Sequence, residues 1–403
     1  MMREHRLALL PRDGLFCKDG RGWHTSESGR GHGLDWPWPS TLRGALLTAW
    51  GRLEEGKKKK ANSKSAWLEH KRGNHVVLQE LLALRRPHGE AAWKQKYRVW
   101  PAPADALWLE GRDKVAQLRP KPLDVPTMGT DERADAALWW PAPPEKAKPR
   151  KAPRWLDEED FIAWLCDEEI EARKLEDYPA PQKRMQEHVG IEPETLAHKE
   201  SVLFRHDILE FLEPGHEWAI GARVGVMEDT GLPADKTPSL ATIGSDSRLA
   251  CALATLPEEV FAPPEKLLEA FGDGGVRGLR LVVVTPAKFR EGWLPDGFDY
   301  VEAGGRIVGA IEGLEDRLGA LILRAAFVPR PTHISGWDVA EGRPKSTDRM
   351  VPQGAVYFLE RADGKPFTRD DAEALWLLAW GERQEEGFGR VVPGVWNCGE
   401  EEG

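Results

Sequence analysis

Gly387-Phe388-Gly389-Arg390 brings together three residue types that can hold a nucleotide. Two glycines leave main-chain N–H groups open to a phosphate. The phenyl ring offers a flat face to a base, and the guanidinium is a planar cation for a phosphate. The same Gly-x-Gly spacing also makes an ordinary turn between helix and strand, so its weight depends on the other cations. Lys18, Arg21 and Arg30 sit in a glycine-rich loop ahead of a helix that starts at Pro39-Ser40, with Ser40 as its predicted N-cap. Free N–H groups and the helix dipole make the Ser40–Arg43 turn a second anion site, with Arg43 off the apolar face. Lys345 and Arg349 flank the entrance to a strand after Trp337. For bond-breaking chemistry, His24 and His32 in the glycine-rich loop are the general-base candidates. The acidic pairs Asp157/Glu158, Asp167/Glu168 and Glu385/Glu386 lack the organisation of ligands and read as helix surface.

The charge is unevenly spread. Across 403 residues the net is −10, yet residues 1–125 hold 24 Lys+Arg and 14 Asp+Glu, a net of +10. The remainder holds 32 and 52, a net of −20. This asymmetry suggests an N-terminal half that faces an anionic partner and an acidic remainder that faces solvent or a basic protein. The four cysteines, Cys17, Cys166, Cys251 and Cys398, stand singly. With no Cys-x-x-Cys pair, neither a metal site nor a disulfide framework is expected, and no cofactor motif is present. No apolar run reaches the ~18 residues that span a bilayer, and no signal peptide is visible. The expectation is a cytoplasmic protein with reduced thiols and no membrane partner.

The elements that must position these residues follow from periodicity. His5–Leu10 alternates as a first strand. A helix from Ser40 buries Leu42, Ala45, Leu46, Ala49 and Trp50 at helical spacing and is predicted to close at Gly51. Tyr97–Leu109 contains prolines that restrict it to an edge strand or extended segment. An acidic helix is expected over about 157–175, capped by Asp157, with Phe161, Ile162, Leu165 and Ile170 inward. Strands follow at Val202–Leu212 and Glu217–Met227, joined by a Pro214-Gly215 turn, then at Leu279–Thr285, Leu321–Val328 and Ala355–Glu360. Thr368 and Asp371 form a capping box for a helix predicted to run to Gly381, before a last strand at Val391–Trp396. Each half thus reads strand, helix, strands, helix, strand. The predicted fold class is α+β, two ferredoxin-like β-α-β-β-α-β units with insertions, divided as 1–230 and 231–403. No Gly-x-Gly-x-x-Gly opens a helix after a strand, which disfavours a dinucleotide fold.

In order along the chain come Leu15-Phe16, Asp19-Gly20-Arg21, Pro39-Ser40-Thr41-Leu42 with Gly44-Ala45, and Trp100-Pro101-Ala102-Pro103-Ala104-Asp105. His188-Val189-Gly190-Ile191 with Pro193-Glu194-Thr195, Val284-Thr285-Pro286-Ala287 and Ser335-Gly336-Trp337-Asp338 follow. Pro344-Lys345, Val351-Pro352 with Val356-Tyr357-Phe358, and Gly387-Phe388-Gly389-Arg390 complete the series. This order resembles the RAMP-superfamily subunit of type III-B CRISPR (Cmr) effector complexes that seats the 5′ end of the guide RNA. The resemblance implies RRM-like units and a non-catalytic role. Its implied partners are the guide RNA 5′ handle, the large polymerase/cyclase-type subunit and the backbone RAMP subunits. It also places Arg184 and His188 near the guide. Gly244-Ser245-Asp246-Ser247-Arg248 departs from the family's Gly-Gly-Glu-Arg-Arg-like segment, and the stretches near 57–75 and 129–185 read as insertions.

The expected RNA-contacting set is therefore Lys18, Arg21, Arg30, Ser40, Arg43, Arg184, His188, Lys345, Arg349, Gly387, Phe388, Gly389 and Arg390. Two other readings stay open. A metal-free endoribonuclease that processes precursor guide RNA would use His24 or His32, and a structural adaptor would touch no RNA.

Overall fold

The structure is a computed structural model that describes residues 1–18, 30–55, 75–122, 138–244, 248–253, 255–272, 274–301, 305–338 and 342–397. In chain order its main elements are β1 (Met2–Pro11), α1 (Pro39–Glu55), β2 (Val76–Pro87), β3 (Arg98–Pro101), β4 (Trp155–Asp157) and α2 (Glu158–Leu165). Then come β5 (Gln182–Ile191), β6 (His198–Glu210), β7 (His216–Met227), β8 (Leu240–Ile243), β9 (Arg248–Leu253) and α3 (Glu265–Phe271). The second half has β10 (Gly278–Val283), β11 (Phe298–Val301), β12 (Arg306–Gly309), β13 (Leu321–Phe327), β14 (Thr332–Ile334), β15 (Asp348–Met350), β16 (Val356–Arg361), α4 (Arg369–Leu375), β17 (Leu378–Ala379) and β18 (Arg390–Trp396).

Two antiparallel sheets carry the molecule. The first runs β8-β9-β1-β7-β2-β3-β4, and the second runs β11-β12-β13-β16-β10-β18-β17. The first sheet therefore reaches Leu253, past the expected division at 230. In both, neighbouring strands are held by long ladders, such as Met2↔Met227 to Leu9↔Ile220 and Gly278↔Trp396 to Val283↔Val391. The β-α-β-β-α-β pattern is not completed in either half. In the first, α1 joins β1 to β2, and the expected second helix is the short α2, which directly follows β4 at the end of the sheet. In the second, α4 joins β16 to β18, while β10 reaches β13 through the β11–β12 hairpin and one helical turn at Glu315–Leu318.

Alternation along the strands sets two cores. Leu7 and Leu9 face α1, where Leu42, Leu46, Ala49 and Trp50 close over them. Ala8, Leu82 and Leu84 face the other way, into a core shared with Leu279, Leu281, Val356 and Val392 of the second sheet. In β2 a register shift opposite Arg223/Val224 inverts the parity, so Val76 and Leu78, then Leu81 and Ala83, all reach the α1 side. The β10 strand is buried along its whole length, as a continuous apolar run with both faces covered requires.

Several expected boundaries move for local reasons. Pro39 takes the first position of α1, where its missing N–H costs nothing, so Ser40 lies inside the helix and not at its cap. Gly51 stays helical, and α1 continues to Glu55. Asp157 caps α2 as predicted, but the helix stops at Leu165, because Asp167 adopts φ 62°. The Thr368/Asp371 capping box is present, yet α4 ends at Leu375 before Leu377 at φ 55°. Trp376 and Leu378 then pack as turn and short strand.

Buried charges tie the halves together. Arg98, 1% exposed, donates from Nε to Glu158 Oε2 at 2.9 Å and from Nη1 to Ala262 O at 2.8 Å. Trp100 Nε1 donates to the same Glu158 at 2.6 Å. Arg280 Nη1 donates to Asp105 Oδ2 at 2.7 Å, and Trp164 Nε1 donates to its other oxygen at 2.9 Å. Trp100 and Asp105 thus have structural employment in the Trp-Pro-Ala-Pro-Ala-Asp segment. Its β3 part lies between β2 and β4, not at an edge.

Candidate nucleic-acid interface

The expected residues fall into two groups, one at each of two hairpins, and several carry no free surface. The Gly387–Arg390 loop is buried throughout. The Gly387 N–H donates to Gln384 O at 3.0 Å, that of Gly389 to Pro286 O at 2.8 Å and that of Arg390 to Thr285 Oγ1 at 2.9 Å. The open amides expected here are already satisfied by protein oxygens. The glycines answer to close backbone approach instead: Gly387 and Gly389 sit at φ 88° and 71°. A Cβ on Gly389 would lie 2.1 Å from Trp380 O, and one on Gly387 2.8 Å from Leu78 Cδ2. Phe388 has no exposed surface and packs with Ile334, Met350 and Trp38. Its ring cannot present a face to a base in this structure, because the Arg383 guanidinium covers it at 4.7 Å.

Arg390 is turned to the same structural purpose. Its Nη2 donates to Gln384 O at 3.0 Å and to Leu78 O at 3.4 Å, which pins the second half to β2 of the first. Burial pulls its guanidinium down to about 10, partly offset by Glu80, and leaves it charged at neutral pH. Arg43, expected to be free, donates from Nε to Val76 O at 2.8 Å. Trp38 O accepts the first bonds of α1, from Thr41 at 3.0 Å and Leu42 at 3.3 Å.

Above the loop stands the hairpin β14–β15. Ile334 and Met350 drive its inner face into the Phe388 cluster. Asp348 holds its edge, accepting from Arg383 Nη1 at 2.6 Å and pairing with Lys288 Nζ at 3.1 Å. Arg383 itself sits at φ 61° and donates from Nε and Nη2 to Glu386 at 2.9 Å. Burial pushes Glu386 up, but the bonds and charge of Arg383, with Lys345 and Arg43, bring it below the ordinary carboxylate value. Arg43, Lys345 and the glycine loop, far apart in the chain, thus converge on one carboxylate. Lys345 and Arg349 point into solvent.

The second group surrounds the long hairpin β5–β6, paired from Gln182↔Glu210 to Ile191↔His198. The β5 strand was not foreseen, because most of Gln182–Ile191 is polar and its few apolar residues, Met185, Val189 and Ile191, are left exposed rather than buried against a core. Near its base Phe16, His206, His188 and Phe204 form a stack, with centroid separations of 4.3 Å, 4.5 Å and 5.0 Å in that order. His188 lies between Phe204 and His206, nearly parallel to both. Arg184 donates to Glu210 at 2.6 Å. Lys18 forms a bridge with Gly33 and is half-buried. Arg30 continues the hairpin, its backbone pairing in parallel with Arg205. Arg21, His24 and the side chain of Arg30 lie outside the described residues, as does the lysine run 57–60. His32 sits half-buried between that strand and Gly33.

Between the sheets a cavity of about 20 Å³, lined by Trp36, Trp38, Trp100 and Pro286, has room for about one water and not for a base. No cluster of metal-ligating side chains occurs among the described residues. The sequence candidates thus lie at surface hairpins and not in this cavity.

The sequence, in turn, matches a known family. A family model for CRISPR-associated proteins, Cas_Cmr3, matches residues 7–396. The chain belongs to the Cas_Cmr3 family. Its members are subunits of the type III-B CRISPR Cmr complex, a ribonucleoprotein effector. Among solved structures, a chain of the type III-B Cmr-beta complex bound to cognate target RNA and AMPPnP is similar, at 14% identity with a TM-score of 0.42. The match covers 89% of this chain and 86% of that one. A second chain, from Cmr-beta bound to cognate target RNA, is similar at 14% identity and TM-score 0.41, covering 89% and 87%. No curated protein matches the chain.

Sequence reasoning missed Arg383 of this Cas_Cmr3 member and named Trp337 only within a motif, without a contact of its own. Arg383 gave no signal, since its role depends on a left-handed backbone that only the fold reveals. Trp337 could have been found: it is 59% exposed and lies between Gly336 and Asp338, where no apolar neighbour marks a core strand. Among the described residues no helix is long and apolar enough to cross a membrane.

Proposed function

We propose that this Cas_Cmr3 member is a non-catalytic, guide-RNA-seating subunit of its complex that works in the cytoplasm. It holds the 5′ handle of the guide and docks on the large polymerase/cyclase-type subunit and the backbone RAMP subunits. The observation that carries the reading is the family match across residues 7–396. The two four-strand cores, β9-β1-β7-β2 and β13-β16-β10-β18, are then degenerate ferredoxin-like units that have each kept one of two helices.

The surface supports this division of labour. RNA contact falls to the exposed cations Lys345 and Arg349, with Lys18, Arg184 and His188 as a second line near the β5–β6 hairpin, and to Arg21 and Arg30 as sequence candidates. Protein contact falls to the apolar outer part of that hairpin, where Val189, Ile191, Leu196 and Leu203 are 52%, 58%, 80% and 57% exposed. Such a patch is costly to leave in water.

Purifying the assembled complex through a tag on this chain, crosslinking with ultraviolet light and sequencing the adducts tests the proposal. Expected are adducts on this chain that map to a common repeat-derived 5′ end. An assembled complex with guide adducts on every subunit except this one would make the chain an adaptor. Specific cleavage of precursor RNA in EDTA, abolished by His24→Ala or His32→Ala, would make it a nuclease.

A further inference from the structure

We infer that the β14–β15 hairpin carries a base-stacking subsite for single-stranded RNA, with Trp337 as the platform. The inference rests on the RNA-seating reading and names a contact within it. A tryptophan 59% exposed sacrifices burial of the largest apolar side chain, and its setting indicates what it is kept for.

Trp337 pairs across the hairpin with Pro344, and Asp338 with Arg343. Lys345 N–H donates to Gly336 O at 2.8 Å, which fixes Lys345 beside the tryptophan strand. Farther down, His333 pairs with Arg349, both on the outer face opposite Ile334 and Met350. Arg330, Arg343, Lys345 and Arg349 are all exposed, and none has an ion-pair partner among the described residues. The carboxylates nearby are committed. Asp348 is held by Arg383 and Lys288, Glu386 by Arg383, and Asp338 is half-buried and already engaged. An exposed indole on a hairpin whose cations Arg343, Lys345 and Arg349 form no close ion pair among the described residues matches a base with flanking phosphates.

The hairpin is also a firm support. Ile334 and Met350 are 1% exposed against Phe388, and Arg383 braces the same strand from the side. The glycine loop therefore acts through the hairpin: it positions Trp337 and does not touch the base itself.

The test uses the full-length chain, a fluorescently labelled single-stranded RNA of mixed sequence, and anisotropy across a salt series. Trp337→Ala should weaken binding about 5- to 100-fold, the range of one lost base stack, while Trp337→Phe keeps most of the affinity. Lys345→Ala and Arg349→Ala should each flatten the salt dependence by about one unit of slope. Unchanged melting of Trp337→Ala verifies that the fold is intact. Wild-type affinity in Trp337→Ala would overturn the subsite and leave the RNA-seating reading standing. A wild-type chain with no RNA affinity, alone or in the complex, would overturn both. Retained RNA affinity with loss of a partner subunit from the complex would make the hairpin a protein-docking surface and likewise sink the proposal.

Discussion

The Gly387–Arg390 loop and the hairpin that covers it draw on the same inventory of glycine, aromatic ring and arginine, and they spend it in opposite ways. In the loop every amide with a determined partner bonds to protein, the ring is sealed and the arginine feeds main-chain oxygens. In the hairpin the ring stands in water and Arg343, Lys345 and Arg349 form no close ion pair among the described residues. Both place a glycine beside an aromatic ring with arginine nearby, so composition alone cannot separate a clamp from a contact. What separates them is whether backbone polar groups have found partners within the chain.

The largest expected effect lies on the buried side of this pair. Phe388→Ala removes a fully buried ring from a small cluster that has little else to collapse into. It should cost roughly 3–5 kcal/mol in urea unfolding. Trp337→Ala, on the exposed side, should stay within about 0.5 kcal/mol of wild type. Equal stability for the two variants, with RNA affinity lost only in Phe388→Ala, would invert the comparison and make the loop the contact.

A smaller effect is expected at the link between the two regions. Arg383→Ala leaves Glu386 and Asp348 without their shared cation and uncovers Phe388. A stability loss of about 1–3 kcal/mol should follow, the range for a charge-assisted hydrogen-bond set, since the side chain is still partly solvated. The sharper signature is local: limited proteolysis should begin within 332–350 before the rest of the chain. Cleavage that starts elsewhere would mean that Arg383 does not anchor the hairpin.

What the sequence made legible follows from where its signals are local. The antiparallel strands β1, β7, β10, β13, β16 and β18 were read from apolar runs and alternation, and the caps at Asp157 and Thr368 from their own side chains. Helix ends at Leu165 and Leu375 were not legible, because Asp167 and Leu377 adopt a left-handed backbone that their residue types disfavour. The β5–β6 hairpin was half-seen, since β5 is mostly polar and leaves its few apolar residues exposed. The glycine loop was located but its purpose was misjudged. Trp380, Leu78 and Thr285, which occupy its surroundings, come from distant parts of the chain, and no local pattern announces them.

The mildest perturbation separates the same two regions by pH. Glu386 is folded with its pKa below the ordinary value of about 4.3, chiefly because Arg383's bonds and charge outweigh the cost of burial. A carboxylate depressed in the folded state stabilises fully above its unfolded value and loses that contribution as pH falls through its folded value. The hairpin should therefore keep constant amide-exchange protection from neutrality down to about pH 5 and loosen only below about pH 4. In Arg383→Ala this acid step should shrink, because only the charges of Lys345 and Arg43 then favour the ionised Glu386. Loosening that sets in well above the carboxylate range would exclude Glu386 as the group responsible. In that case the hairpin's seat on the glycine loop would not govern its order.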